Sequence, residues 1–232
     1  MIGAAPEGLL LLDKPSSKTS FTMVAILRKK TGQQKIGHAG TLDPFATGLL
    51  VMLLGRRWTR TSGVFLNHDK EYEATLRLGV ETDTYDCDGQ VTATADIAPT
   101  DADIVQVLQG FQGEYLQTPP MYSAKKVGGK RLYDLARKGV VIHREQQACH
   151  LTTTLISYCY PDLKIHVKCS KGTYVRALAH DIGERLGCYA HVSELRRTRS
   201  GPFTIDAAVT LPDLDLMSRE EIQNHLFLPD GL

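Results

Sequence analysis

The chain has 232 residues, a hydrophobic content of 42% and a formal net charge of +1. Those values fit a globular protein with its own core, and no apolar run approaches the ~20 residues needed to span a bilayer. Five scattered cysteines (Cys87, Cys149, Cys159, Cys169 and Cys188) contain no C-x-x-C pair, which speaks against a disulfide framework or a zinc site and for reduced cytosolic thiols.

The near-neutral charge hides a segregation. Residues 81–103 carry seven acids and no Lys or Arg, and residues 206–232 carry six acids and one Arg. The remaining sequence is strongly basic, with clusters at "RKKTGQQK", "RRWTR", "KKVGGKR" and "LRRTRSG". Such clusters draw in phosphates and release counterions, so a polyanion is a candidate partner; the plainer alternative is solvated surface.

In chain order, "MIGAAPEGLLLLDKP" has no basic n-region and reads as the lead into a strand at Gly8–Asp13, not as a signal peptide. Ser20 is placed to cap a helix running to about Thr31, with Phe21, Val24, Ala25 and Arg28 on one stripe and Gly32 as the stop. A glycine-rich loop then leads to the strand "LLVMLLG". "EYEATLRLG" alternates Tyr72, Ala74, Leu76 and Leu78 on one face, and "DTYDCDGQV" reads as an acidic surface loop. Thr100 and Asp103 form a capping-box pattern that opens the helix "TDADIVQVLQGF". Two paired antiparallel strands are expected across a turn at Pro161-Asp162. "YVRALAHDIGERLG" predicts a helix ending at Gly187, and Ser218 with Glu221 opens a short last helix. Between strands, residues 117–144 form an excursion with prolines, a Gly-Gly hinge and seven Lys or Arg, suited to clamp a ligand. Strands and helices intermix without a βαβ repeat, which predicts an α+β fold on a mixed, mostly antiparallel sheet flanked by helices and loops.

Most motif classes fail. Asp83, Asp86 and Asp88 lie near Gly89, but the spacing does not make a calcium loop. No H-E-x-x-H, phosphate-binding P-loop or G-x-S-x-G is present, so no metal or organic cofactor is expected. What remains is "KIGHAGTLDPFATGLL", residues 35–50, where a lone carboxylate, Asp43, sits among glycines beside a stiffening proline.

That loop resembles the signature loop of TruB-type tRNA pseudouridine synthases. Four further segments match in order: "LLLDKP", "KEYEATLRLGVETDTYDCDG", "PPMYSAKKVGGKRLYDLARKG", and "CSKGTYVRALAHDIGERLG" followed by "LRRTRSGPF". The resemblance implies a pseudouridine-synthase fold and conversion of uridine 55 in the tRNA T-loop. It identifies Asp43 with the catalytic aspartate, Tyr72 with the tyrosine that packs on the target base, and Arg176 with the arginine that pairs with the aspartate. Tyr174 lies in the same motif as Arg176, and Leu195 borders the uracil. Lys14 and Pro15 support the active-site loop, His38 contacts the flipped T-loop, and Lys130 lies in the RNA-clamping insertion. The family commonly carries a C-terminal PUA domain. Only about 30 residues follow "SGPF", and that stretch is acidic, so a single catalytic domain over 1–232 without that domain is expected. The implied partner is the T-arm of tRNA, with no membrane and no obligate protein partner.

The chemistry agrees with a lone acid. Glycosidases use two carboxylates, one to protonate the leaving group. Uracil leaves as a delocalised anion, so one carboxylate can suffice, as a nucleophile at C1′ or C6 or as a base toward a ribose proton. Two rival readings are an RNA-folding helper without catalysis and a base-excising hydrolase, which would need a second acid. Singly, Asp43 reads as a turn residue, Tyr72 as a strand aromatic, Arg176 as an ordinary ion-pair residue and Lys14 as a strand-end charge. Their joint occurrence is what favours function.

Overall fold

Residues 5–123 and 125–229 are described by a computed structural model, apart from the side chains of Lys126, Lys130 and Arg131. The strands are β1 (Gly8–Lys14), β2 (Ile36–His38), β3 (Thr47–Leu54), β4 (Lys70–Leu78), β5 (Val80–Thr82), β6 (Val91–Thr94), β7 (Gln112–Gln117), β8 (Lys126–Val127), β9 (Lys130–Arg131), β10 (Gln147–Cys159), β11 (Asp162–Cys169), β12 (Ala190–Ser200), β13 (Phe203–Thr204) and β14 (Val209–Thr210). The α-helices are α1 (Ser20–Thr31), α2 (Arg56–Arg60), α3 (Ser62–Leu66), α4 (Asp101–Gln109), α5 (Leu132–Ala136), α6 (Val175–Leu186), α7 (Leu211–Leu216) and α8 (Arg219–Asn224). The pairings β1–β3, β2–β3, β10–β11, β10–β7 and β12–β13 are antiparallel; β1 with β14 and β12 with β3 are parallel, so the fold is α+β with mixed pairing.

The chain forms two compact units. The first is Met1–Tyr72 with Leu195–Leu232, the second Glu73–Glu194. In the first, strands run in the order β14-β1-β3-β12, with β2 on β3 and β13 on β12. Residues 9–12 of β1 and 49–54 of β3 are buried on both faces, which explains why these strands read as unbroken apolar runs. One face of that pair, Leu9, Leu11, Leu49, Val51 and Leu53, packs with Ala39, Trp58 and Phe65. Gly48, the second residue of β3, has φ +100°, and a Cβ there would collide with the Arg197 backbone across the parallel pairing. That close approach seats the end of the glycine loop against β12.

Helix α1 departs from expectation in two ways. Its N-cap is Thr19, whose Oγ1 accepts from the Thr22 amide at 3.0 Å, and Ser20 is the first helical residue. The buried stripe is Ser20, Met23, Val24, Leu27 and Thr31, so Phe21 and Ala25 face away from the packed side. Gly32 ends the helix in the left-handed region, as predicted.

In the second unit the order is β4-β11-β10-β7. Ala74, Leu76 and Leu78 of β4 are buried in alternation, the period-two pattern the sequence carries. Helix α4 begins with the predicted capping box of Thr100 and Asp103, and buries Ile104 and Leu108. Helix α6 buries Ala177, Leu178, Ala179 and Ile182, and its Gly183 lies so close to the backbone of residues 189 and 190 that no side chain fits. The excursion at 117–144 contains the β8–β9 ribbon and α5.

Candidate active site

The glycine loop is held by two side chains, Lys14 at the end of β1 and Ser20 at the start of α1. Lys14 is fully buried and its Nζ donates to three carbonyls: Pro15 at 2.8 Å, Lys18 at 2.6 Å and Pro44 at 3.2 Å. Ser20 Oγ donates to the Leu42 carbonyl at 3.2 Å and accepts from the Leu42 amide at 3.0 Å. Both chain neighbours of Asp43 are therefore anchored, and Asp43 itself is half-buried at a turn closed by the Ala46 amide on its carbonyl at 3.2 Å. Burial pushes Lys14 down to about 8; the Asp43 carboxylate opposes that shift and the Arg197 guanidinium adds to it.

Arg197 completes the frame. It is 1% exposed, donates from Nε to Leu49 O at 2.6 Å and from Nη2 to Gly40 O at 3.1 Å, and so ties β3 to the loop's glycine turn. Arg196 beside it makes a two-pronged pair with Asp13 at 3.0 and 2.6 Å. These two arginines of "LRRTRSG" are structural fasteners, not free phosphate contacts. His38 lies on β2; burial first, then Arg197, lowers its pKa, so the ring is neutral near pH 7 with a buried Nδ1 that has no hydrogen-bond partner. Leu195 is buried, and its carbonyl accepts from Thr47 Oγ1 at 3.4 Å where β3 begins. Tyr72 is half-buried on β4.

In the second unit the site residues gather at the start of α6. Arg176, 4% exposed, donates from Nη1 to Thr84 O at 3.0 Å and from Nη2 to Tyr122 O at 2.8 Å, and pairs with Asp86 Oδ2 at 3.2 Å. The expectation of an acidic surface loop thus fails at Asp86. It is 5% exposed, and its Oδ1 also accepts from Thr84 Oγ1 at 2.6 Å and the Asp88 amide at 3.1 Å. A buried guanidinium needs a carboxylate and saturated hydrogen bonds, and this loop is folded around that requirement. Tyr174 caps α6, and its amide donates to Gln117 Oε1 at 2.9 Å while Gln117 Nε2 donates to Gly172 O at 2.7 Å. The side chain of Lys130 lies outside the described residues.

Sequence reasoning missed Ser20 as a latch, Arg197, Asp86 and Gln117. Arg197 carried a signal in its strict neighbourhood "LRRTRSG", but one that reads as exposed charge. Among the described residues, one group places three metal-capable atoms within 4.8 Å of one another: Glu81, His180 and Glu184. Its His180 Nδ1 is already 2.7 Å from the Glu81 carboxylate, and Glu184 is exposed.

Comparison with known proteins decides the family. The profile described as TruB family pseudouridylate synthase (N-terminal domain) matches residues 28–175, and that of the tRNA pseudouridylate synthase B C-terminal domain matches residues 176–228. The chain belongs to the TruB family. Among its relatives, "tRNA pseudouridine synthase B" of Chlamydia abortus is 52% identical over 215 residues, covering 90% of this chain and 92% of that one. The protein of the same name from Protochlamydia amoebophila is 55% identical over 200 residues, covering 86% and 76%. Of solved structures, a chain in the crystal structure of a Cbf5-Nop10-Gar1 complex superposes with a TM-score of 0.74 at 32% identity, and this chain spans 96% of itself and 60% of that one. The TruB chain therefore has the pseudouridine-synthase fold predicted from its motifs. No helix among its described residues is long and apolar enough to cross a membrane.

Proposed function

We propose that this TruB chain acts on uridine 55 of the tRNA T-loop, flips it out, and isomerises it with Asp43 as the catalytic carboxylate. The chain is an isomerase that converts uridine in tRNA to pseudouridine. Support for Asp43 comes from one observation: both residues flanking it are pinned by Lys14 and Ser20, while a buried ammonium acts on its carboxylate. A turn aspartate with no chemical duty needs no such frame.

The reaction breaks N1–C1′, joins C5 to C1′ and transfers the C5 proton to N1, so atoms and electrons balance without a co-reactant. Asp43 serves as nucleophile or as base, splitting the isomerisation into easier steps. The detached uracil must be kept and water kept out. Tyr72 is assigned as the plate that holds the ring by its face, worth ~1–3 kcal/mol of stacking, and Leu195 as an apolar wall. Arg176 is assigned, on its motif, to keep the carboxylate ionised, with Tyr174 beside it. Lys14 and Pro15 hold the loop, and His38 and Lys130 contact RNA. Flipping costs a few kcal/mol, which phosphate contacts offset. All five cysteines are free, in keeping with a reducing cytoplasm where tRNA is found.

The test is to incubate the protein with an unmodified tRNA transcript and map pseudouridine at nucleotide resolution. The product is expected at position 55. An abasic site there would identify a base-excising hydrolase, and refolded tRNA without product would identify a folding helper; either outcome defeats the proposal.

A further inference from the structure

Phe21 is an aromatic side chain that the fold leaves mostly exposed. It is 66% exposed, more than Phe227 (42%), Tyr160 (38%) or Tyr133 (37%), the other exposed aromatics among the described residues. It occupies the second position of α1, off the buried stripe. A single exposed apolar residue is ordinary; its location is not. Phe21 directly follows Ser20, whose hydroxyl clasps Leu42, and the same short segment is bound to Pro44 through Lys14. The segment 14–20 is thus fastened on both sides of Asp43, and Phe21 extends from that fastening into solvent. The turn before it, residues 16–19, is exposed and carries the cation Lys18, whose carbonyl is held by Lys14. An open ring beside an exposed ammonium is what single-stranded nucleic acid sites use: bases stack on the ring while the cation meets the backbone.

We infer that Phe21 is a stacking platform for an unpaired nucleobase of the RNA substrate, adjacent to the nucleotide that reacts at Asp43, with Lys18 meeting the neighbouring phosphate. This rests on the reading of the chain as an enzyme of tRNA. The platform selects substrates whose reactive loop offers a second splayed base, and it gives a role to a large apolar side chain on the solvent side of α1.

A T-arm stem-loop RNA titrated against wild type, Phe21→Ala and Phe21→Trp tests this. Phe21→Ala should raise Kd ~5- to 100-fold, about 1–3 kcal/mol at 1.4 kcal/mol per tenfold, with the loss falling on KM more than on kcat. Its melting temperature should stay close to wild type, since two thirds of the residue is exposed and it lies off the buried stripe of α1. Phe21→Trp should keep near-wild-type affinity, and its emission should be quenched by RNA; the chain's own Trp58 is 2% exposed and wild type supplies the background. A wild-type Kd for Phe21→Ala, or unchanged Phe21→Trp emission at saturating RNA, overturns the inference. Both readouts are of binding, so wild type that binds the stem-loop without making pseudouridine would count against the proposed activity alone.

Discussion

Replacing Lys14 by Met tests how the catalytic loop is held. The substitution keeps an unbranched side chain of similar length but removes the ammonium. Three hydrogen bonds go with it, at 2.8, 2.6 and 3.2 Å. Hydrogen bonds to a charged group contribute ~1.5–3 kcal/mol each, so the gross loss is ~4–9 kcal/mol. Against this stands the relief of burying a charge, and the fall of the Lys14 pKa from 10.5 to about 8 sets that relief near ~3 kcal/mol. The Lys18 carbonyl, in an exposed stretch, can regain water. The net is a destabilisation of ~1–6 kcal/mol, read as a drop of roughly 2–24 °C in melting temperature. Activity should fall further than stability explains, because Pro44 is freed next to Asp43 and a 1 Å misplacement can cost ~100-fold. The assay pairs thermal melts by circular dichroism with single-turnover pseudouridine formation at 25 °C, where the variant remains folded. A Lys14→Met protein that melts with wild type and turns over at the wild-type rate would show that the ammonium does not hold the loop.

Three further expectations follow from the same geometry. The Lys14 pKa makes rate and stability respond to pH in opposite directions: as pH rises through about 8 the ammonium is lost and turnover should decline. The folded pKa lies below the unfolded 10.5, so the native state binds fewer protons between these values and this group's contribution to unfolding free energy rises with pH there. A pH–rate profile that keeps its step near 8 in Lys14→Met would assign that step elsewhere. Asp86→Ala breaks a buried ion pair and takes one carboxylate away from the Arg176 guanidinium, at a cost of ~3–5 kcal/mol; urea unfolding should show a lower midpoint with an unchanged slope, and an unshifted midpoint would mean the pair is not needed. Tyr72→Leu should reduce kcat far more than tRNA affinity, and equal losses in kcat and Kd would contradict its place on the uracil face.

What the sequence made legible was local. Period-two alternation at Ala74, Leu76 and Leu78, the Thr100–Asp103 and Ser218–Glu221 caps, and the stops at Gly32 and Gly187 all depend on neighbours a few residues away, and the structure has each of them. What stayed hidden depends on residues distant in the chain. Ser20 reads as a helix cap until Leu42 is folded against it, 22 positions on. Arg197 reads as surface charge until β3 and the Gly40 turn close over its guanidinium. Asp86 reads as one of several acids in a polar loop until Arg176 is buried beside it. The site residues themselves were legible only because five motifs occur together in order; periodicity alone assigns Tyr72 to a strand and Arg176 to a helix, and says nothing of chemistry.

The most direct measurement compares wild type and Asp43→Asn on the same unmodified tRNA, following binding and pseudouridine together. The variant is isosteric and leaves the backbone anchors at Leu42 and Pro44 in place. It should bind tRNA within a few-fold of wild type and form no pseudouridine. Product accumulating in the variant at a rate comparable with wild type would remove Asp43 from the chemistry.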